Sequence, residues 1–172
     1  LESQQNVKLD ILQRLHSSLV KERPTTFEEC IEWARLKFEE LFANNPKQLL
    51  HNFPVTMQTS SGQPFWSGHK RAPKPLVFSP DNGQHMDFIV ATANLRAYNY
   101  GINGTRDLNK YLKVLSNVSV PVFTPKEGVK IAANEKEAEE MKDGTSSNVD
   151  DKIADDLIAS LPNPSELAGY RM

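Results

Sequence analysis

Few side chains in this sequence carry chemistry of their own. Cys30 is the single thiol, and the imidazoles are His16, His51, His69 and His85. A cysteine attacks as its thiolate, which needs a nearby base, a cation or a helix N-terminus. Cys30 lies close to the start of an expected helix, which favours that form. Against it, Glu28 and Glu29 precede Cys30, and Phe27, Ile31 and Ala34 share its helical face. Negative neighbours and apolar burial both raise a thiol pKa, and unpaired cysteine is among the most buried residue types. The pattern makes Cys30 a packing residue. None of the four histidines is spaced from another, or from Cys30, as metal ligands are. His85 opens a strongly apolar segment and reads as a packing or capping group. Neither G-x-G-x-x-G nor G-x-x-x-x-G-K occurs, and no serine sits in G-x-S-x-G. Accordingly no catalytic, cofactor-binding or metal-binding residue is assigned in this chain.

The segment Pro64-Phe65-Trp66-Ser67-Gly68-His69-Lys70-Arg71-Ala72-Pro73 mixes aromatic rings with bases. Such a mixture suits an acidic partner or single-stranded nucleic acid. It equally suits a proline-stiffened loop with docked rings and solvated bases. The chain as a whole carries a net charge of −2, so nucleic acid is the less favoured reading. Lys70, Arg71 and Lys74 are candidate contacts for a protein partner.

Helices must position these groups. Residues 7–20 place Val7, Ile11, Leu12, Leu15 and Leu19 on one helical face. Thr26 with Glu29 forms a capping box that opens a helix through Phe42. Its apolar positions are Phe27, Cys30, Ile31, Ala34, Phe38, Leu41 and Phe42, and Asn44-Asn45-Pro46 is expected to stop it. A short helix follows from Pro46 to Asn52, with Leu49, Leu50 and Phe53 turned inward. Residues 54–83 hold five prolines and three glycines and read as a long loop. Residues His85 to Tyr100 are apolar nearly all round, so a central buried helix is expected, stopped by Gly101. Asp107 caps a helix that buries Leu108, Leu112 and Leu115. Val120 to Phe123 and Val129 to Ile131 read as short edge strands or extended packing segments. A last helix spans about Val149 to Leu161, with Ile153, Leu157, Ile158 and Leu161 on one face. The fold class is therefore mainly α: an irregular multi-helix domain with long proline-rich loops and a few short strands.

Size and composition fit one domain over 1–172 with a real core, 38% of residues being hydrophobic and 24% charged. No apolar run approaches a membrane span. The first twenty residues carry Lys8, Asp10 and Arg14, unlike a signal peptide, so a soluble chain is expected. A single cysteine leaves no internal disulfide and suits a reducing compartment. Without a secretion signal, the sequons at Asn103 and Asn117 are not expected to be glycosylated. Charge is uneven: residues from 127 onward sum to −6 and the first 126 to +4. Residues 132–149 are polar and acidic and are expected to form a mobile loop. Leu1 and Met172 read as cut ends of a longer protein.

Five segments, taken in order, carry a resemblance. They are Lys47-Gln48-Leu49-Leu50-His51-Asn52-Phe53-Pro54, the Pro64 to Pro73 loop, Asn94-Leu95-Arg96-Ala97-Tyr98-Asn99-Tyr100-Gly101, Phe123-Thr124-Pro125 and Leu161-Pro162-Asn163-Pro164. Together they resemble the second catalytic-cysteine half-domain of the ubiquitin-activating enzyme family, closer to the fungal form. The likeness runs from about Pro24 to Met172 and is weaker before it. That family is a ligase that uses ATP and magnesium to adenylate the ubiquitin C-terminus. It then forms a thioester on its own cysteine and passes ubiquitin to a conjugating enzyme. The resemblance implies that the cysteine lies N-terminal to residue 1 and that Cys30 belongs to a packing helix. It implies no cofactor in this chain, with ATP and magnesium bound by the parent enzyme. The implied partners are the remainder of the parent enzyme, ubiquitin and ubiquitin-conjugating enzymes, without nucleic acid or membrane. The implied location is cytoplasm and nucleus. Residues 132–149 match a flexible segment that can lie over the catalytic cysteine. Two other readings stand beside this one: a free-standing helical interaction module, and a thiol enzyme built on Cys30.

Overall fold

The computed structural model describes residues 2–129, 131–133 and 151–171. It is mainly α-helical. The helices are α1 (Glu2–His16), α2 (Phe27–Glu39), α3 (Asn45–Asn52), α4 (Gly83–Asn99), α5 (Leu108–Leu115) and α6 (Asp151–Ala159), with π turns at Ser17–Lys21 and Glu40–Asn44 and a 3-10 turn at Pro164–Leu167. Of the two segments expected as edge strands or extended packing segments, neither forms a strand at the described residues 120–123, 129 and 131, and residue 130 lies outside the described residues. Residues 118–126 form neither helix nor strand, and among the described residues one isolated bridge, Gln58 with Pro64, is the β pairing present. Pro121 and Pro125 withhold amide donors that a ladder would need. The acidic stretch expected to be mobile lies, from residue 134 to 149, outside the described residues. No described helix is long and apolar enough to cross a membrane.

The described residues cluster into two compact units. One draws on Leu1–Thr25, Tyr98–Ile102 and Ala132–Met172, the other on Thr26–Ala97 and Asn103–Ile131. In the first unit α1 packs against α6, with Leu12, Leu19 and Ala154 buried. Ile11, Leu15, Ile153 and Ile158 of the expected stripes are exposed instead. The Tyr100 hydroxyl donates to the Ser18 carbonyl at 2.8 Å, and the Arg171 amide donates to the Asn99 carbonyl at 2.8 Å. Gly101 stops α4 as expected, at φ +70, and a Cβ there would stand 2.9 Å from the Gly169 carbonyl oxygen. Both left-handed backbone and close approach require glycine at this point.

The second unit is built on a continuous helical run, residues 27–52. Asn44-Asn45-Pro46 does not end it, contrary to expectation. Pro46 falls in the first turn of α3, where a missing N–H costs little, and the π turn before it absorbs the change of register. The Phe42 carbonyl accepts instead from the Leu76 amide at 2.8 Å, which ties the proline-rich loop to the helix. Phe38 is 2% exposed and sits among Phe42, Phe78, His85 and Phe88, with ring centroids 4.8–5.8 Å away. The α4 helix buries Met86, Ile89, Ala93, Arg96 and Ala97, while Leu95 is 66% exposed, so it is buried on one face rather than all round.

Candidate functional site

The reactive candidates are best placed from α2 outward. Thr26 Oγ1 accepts from the Glu29 amide at 3.3 Å, and Glu29 Oε2 accepts from the Thr26 amide at 3.2 Å. These reciprocal bonds satisfy two donors that the first turn would otherwise leave open. They set the face on which Phe27, Cys30, Ile31, Ala34 and Phe38 are all buried. The Cys30 thiol has no exposed area and donates to the Thr26 carbonyl, with Sγ 3.5 Å from the oxygen. Burial pushes its pKa up to about 11. Glu29 and Glu28 add to the rise, and the Arg96 guanidinium opposes it. At pH 7 the thiolate is then about one part in 10⁴ of the population. The guanidinium of Arg96 is itself committed to the Trp33 ring, 3.9 Å from its centroid.

Next to Cys30 lies a buried polar knot. The Tyr111 hydroxyl donates to the Thr105 carbonyl at 2.9 Å and accepts from Asn94 Nδ2 at 2.7 Å. That nitrogen also lies 2.8 Å from the Val90 carbonyl and 3.0 Å from the Thr105 carbonyl. Tyr111 is fully buried, and burial pushes its hydroxyl up to about 12. The face of α5 differs from expectation: Leu108 and Leu112 are exposed, and Tyr111 is the residue turned in. Its hydroxyl finds partners on α4 and the 101–106 loop, which lets a polar end be buried.

The two raised values set an alkaline limit on stability. A neutral thiol is favoured in the folded state, so its contribution is whole below pH 9 and is lost as pH climbs toward 11. Tyr111 adds the same loss between 10 and 12. By linkage the thiol alone removes about 2–3 kcal/mol by pH 11. Urea midpoints should hold from pH 7 to 9 and fall above it, and in Cys30→Ala the fall should begin about one pH unit later. Identical alkaline profiles for the two proteins would refute the assignment.

The histidines are dispersed. His16 ends α1, His69 is exposed in the loop, and His51 Nε2 lies 3.2 Å from Glu127 Oε1. His85 Nδ1 accepts from the Ser79 amide at 3.1 Å within the Phe38 and Phe78 rings. Among the described residues no three His, Cys, Asp or Glu side chains group as metal ligands would. In the Pro64 to Pro73 loop the rings face the chain itself. Phe65 stacks on Phe53 at 4.8 Å, Trp66 donates Nε1–H to the Phe53 carbonyl at 2.9 Å, and Lys70 Nζ lies 4.6 Å from the Phe65 centroid. Arg71 and Lys74 are exposed.

A long-range clamp runs from α3 to the 126–129 segment. Gln48 Oε1 accepts from the Lys126 amide at 2.9 Å while its Nε2 donates to the Lys126 carbonyl at 3.1 Å. One turn on, Asn52 Nδ2 donates to the Val129 carbonyl at 2.5 Å. Two carboxamides four apart on a helix are the available signal; the partner 78 residues away is not.

The profile of the ubiquitin-activating enzyme SCCH domain matches residues 1–172. Ubiquitin-activating enzyme E1 1 of Schizosaccharomyces pombe is 49% identical over 164 residues, covering 95% of this chain and 16% of that protein. Its namesake in Candida albicans is 50% identical over 159 residues, 91% of this chain and 15% of that protein. Ubiquitin-like modifier-activating enzyme 1 of Homo sapiens is 43% identical over 164 residues, again 95% of this chain and 15% of that protein. The chain thus spans about one sixth of the length of these relatives. A match along its whole length, together with this identity, places the chain in the ubiquitin-activating enzyme SCCH-domain family.

Proposed function

We propose that this chain is the scaffold of the cysteine-bearing domain of a ubiquitin-activating enzyme and supplies no nucleophile itself. In this reading the parent enzyme adenylates the ubiquitin C-terminus with ATP and magnesium. A cysteine N-terminal to residue 1 attacks the acyl-adenylate, forms the thioester and releases AMP. Ubiquitin then passes to the thiol of a conjugating enzyme. The burial of Cys30 carries the argument: an attacking thiolate must reach an acyl carbon, and this sulfur has no exposed area and a pKa of about 11. In this reading the nucleotide is bound by other parts of the parent. The partners are then the rest of the enzyme, ubiquitin and conjugating enzymes, in cytoplasm and nucleus.

The test is a non-reducing gel of ubiquitin thioester on the parent enzyme carrying Cys30→Ala, with ATP and magnesium. The thioester band should persist at wild-type intensity. Loss of the band in a protein that stays folded would make Cys30 the acceptor.

A further inference from the structure

The sequence holds two Asn-Gly steps, Asn82-Gly83 and Asn103-Gly104. Glycine has no Cβ to shield its backbone nitrogen, so that nitrogen can close on the carboxamide carbon of the preceding asparagine. Exposure does not separate the two steps, since all four residues are exposed. Hydrogen bonding does.

Asn82 caps α4. Its Oδ1 accepts from the Gln84 amide at 2.9 Å and from the His85 amide at 3.3 Å, and its carbonyl accepts from the Met86 amide at 3.1 Å. Gly83 is the first residue of that helix. Bringing the Asn82 carboxamide carbon onto the Gly83 nitrogen would break both cap bonds and open the first turn. Asn103 has no such restraint. Among the described residues its carboxamide makes no hydrogen bond, and the Gly104 amide donates to no acceptor. The chain at this step is neither helix nor strand.

We propose that Asn103 is a modification site, where deamidation runs through a cyclic imide while the cap protects Asn82. The Gly104 amide gives its proton to hydroxide, and its nitrogen attacks Asn103 Cγ. The N–Cγ bond forms, the Cγ–Nδ2 bond breaks, and ammonia leaves with a proton taken from water. Water then opens the ring at either carbonyl. Opening at Cγ gives aspartate. Opening at the backbone carbonyl gives isoaspartate, whose main chain runs through the side-chain carbon. Overall one water enters and one ammonia departs, and nothing is oxidised or reduced. The product carries one new negative charge. In the isoaspartyl form the main chain is one carbon longer just before Gly104, where Asn94 and Phe27 leave no space for a side chain.

The test follows tryptic peptides by mass and isoaspartyl content, from the folded chain and from the chain unfolded in guanidinium chloride, both kept at mildly alkaline pH. Unfolded, the two asparagines should react at similar rates, because neither keeps its hydrogen bonds. Folded, Asn82 should slow by about tenfold or more, while Asn103 should stay within about threefold of its unfolded rate. Isoaspartate should accompany aspartate at position 103. Asn103→Gln, whose longer side chain cannot close the same ring, should remove the acidic species that the folded chain develops on isoelectric focusing. Equal protection of both asparagines in the folded chain overturns the proposal. So does aspartate alone at position 103, because direct hydrolysis would then have bypassed the ring, and so does an acidic species that persists in Asn103→Gln.

Discussion

Replacing Phe38 with alanine should lower the unfolding free energy by about 3–5 kcal/mol, the usual cost of emptying a fully packed aromatic site. Four rings surround Phe38. The Phe42 and Phe78 centroids lie 5.0 and 5.2 Å away, and those of His85 and Phe88 lie 4.8 and 5.8 Å away. These neighbours come from the helical run, the proline-rich loop and α4, so no single element can close the void. They are also held from outside. Arg35 lies over the Phe78 ring at 4.4 Å and pairs with Glu39 at 3.0 Å, where both side chains are largely buried. The Phe42 carbonyl is tied to the Leu76 amide. The cavity therefore stays open, and the cavity cost adds to the lost transfer energy. Urea unfolding measures it as a drop in midpoint at constant slope. Val77→Ala, at a site 86% exposed, is the control and should stay within about 0.5 kcal/mol of the parent. A Phe38→Ala loss below about 1 kcal/mol would mean that the cluster is not a packed core.

Much of this core is legible along α2 and much less beyond it. The capping box at Thr26 and the buried face from Phe27 to Phe38 follow from local spacing, and both are present. The same spacing then predicts Leu41, which is 45% exposed, while Ala43 is fully buried. The cause is the π turn at Glu40–Asn44: a wider turn shifts each later side chain around the axis. Nothing in a 3.6-residue period announces it, although Pro46 is the residue that profits. The α5 helix fails differently. Leu108, Leu112 and Leu115 make as good a stripe as Tyr111 with its neighbours. The choice falls to Asn94, on another helix, because only Tyr111 can bury a ring and satisfy that amide. The family likeness was likewise legible only from several segments in order, since no reactive group marks this chain. The clamp of Gln48 on Lys126 lay beyond reach for the same reason as Asn94: a carboxamide does not name its partner.

The knot around Asn94 yields the second large effect, in Gly104→Ala. A Cβ at Gly104 would clash with Asn94 Oδ1 and stand 3.3 Å from Phe27 Cε2. Glycine is required there for space, not for backbone freedom. Ordinarily a carboxamide end would swing aside at little cost. Here its nitrogen is shared among the Val90 carbonyl, the Thr105 carbonyl and the Tyr111 hydroxyl. Turning it leaves buried acceptors open, and Tyr111 has no exposed area through which water could reach it. Strain and lost hydrogen bonds together should cost about 2–4 kcal/mol. Asn94→Ala should cost about as much on its own by leaving the same groups without their donor. The two changes act on one contact, so they should not add. Once Asn94 is alanine, the methyl of Gly104→Ala has room, and the double variant should be more stable than the sum of the single losses by about 1–3 kcal/mol. Additive losses would show that Gly104 is held by Phe27 or the loop backbone instead. A large coupling would identify Asn94 as the residue against which Gly104 is packed, and its amide as the group that holds Thr105 and Tyr111 in place.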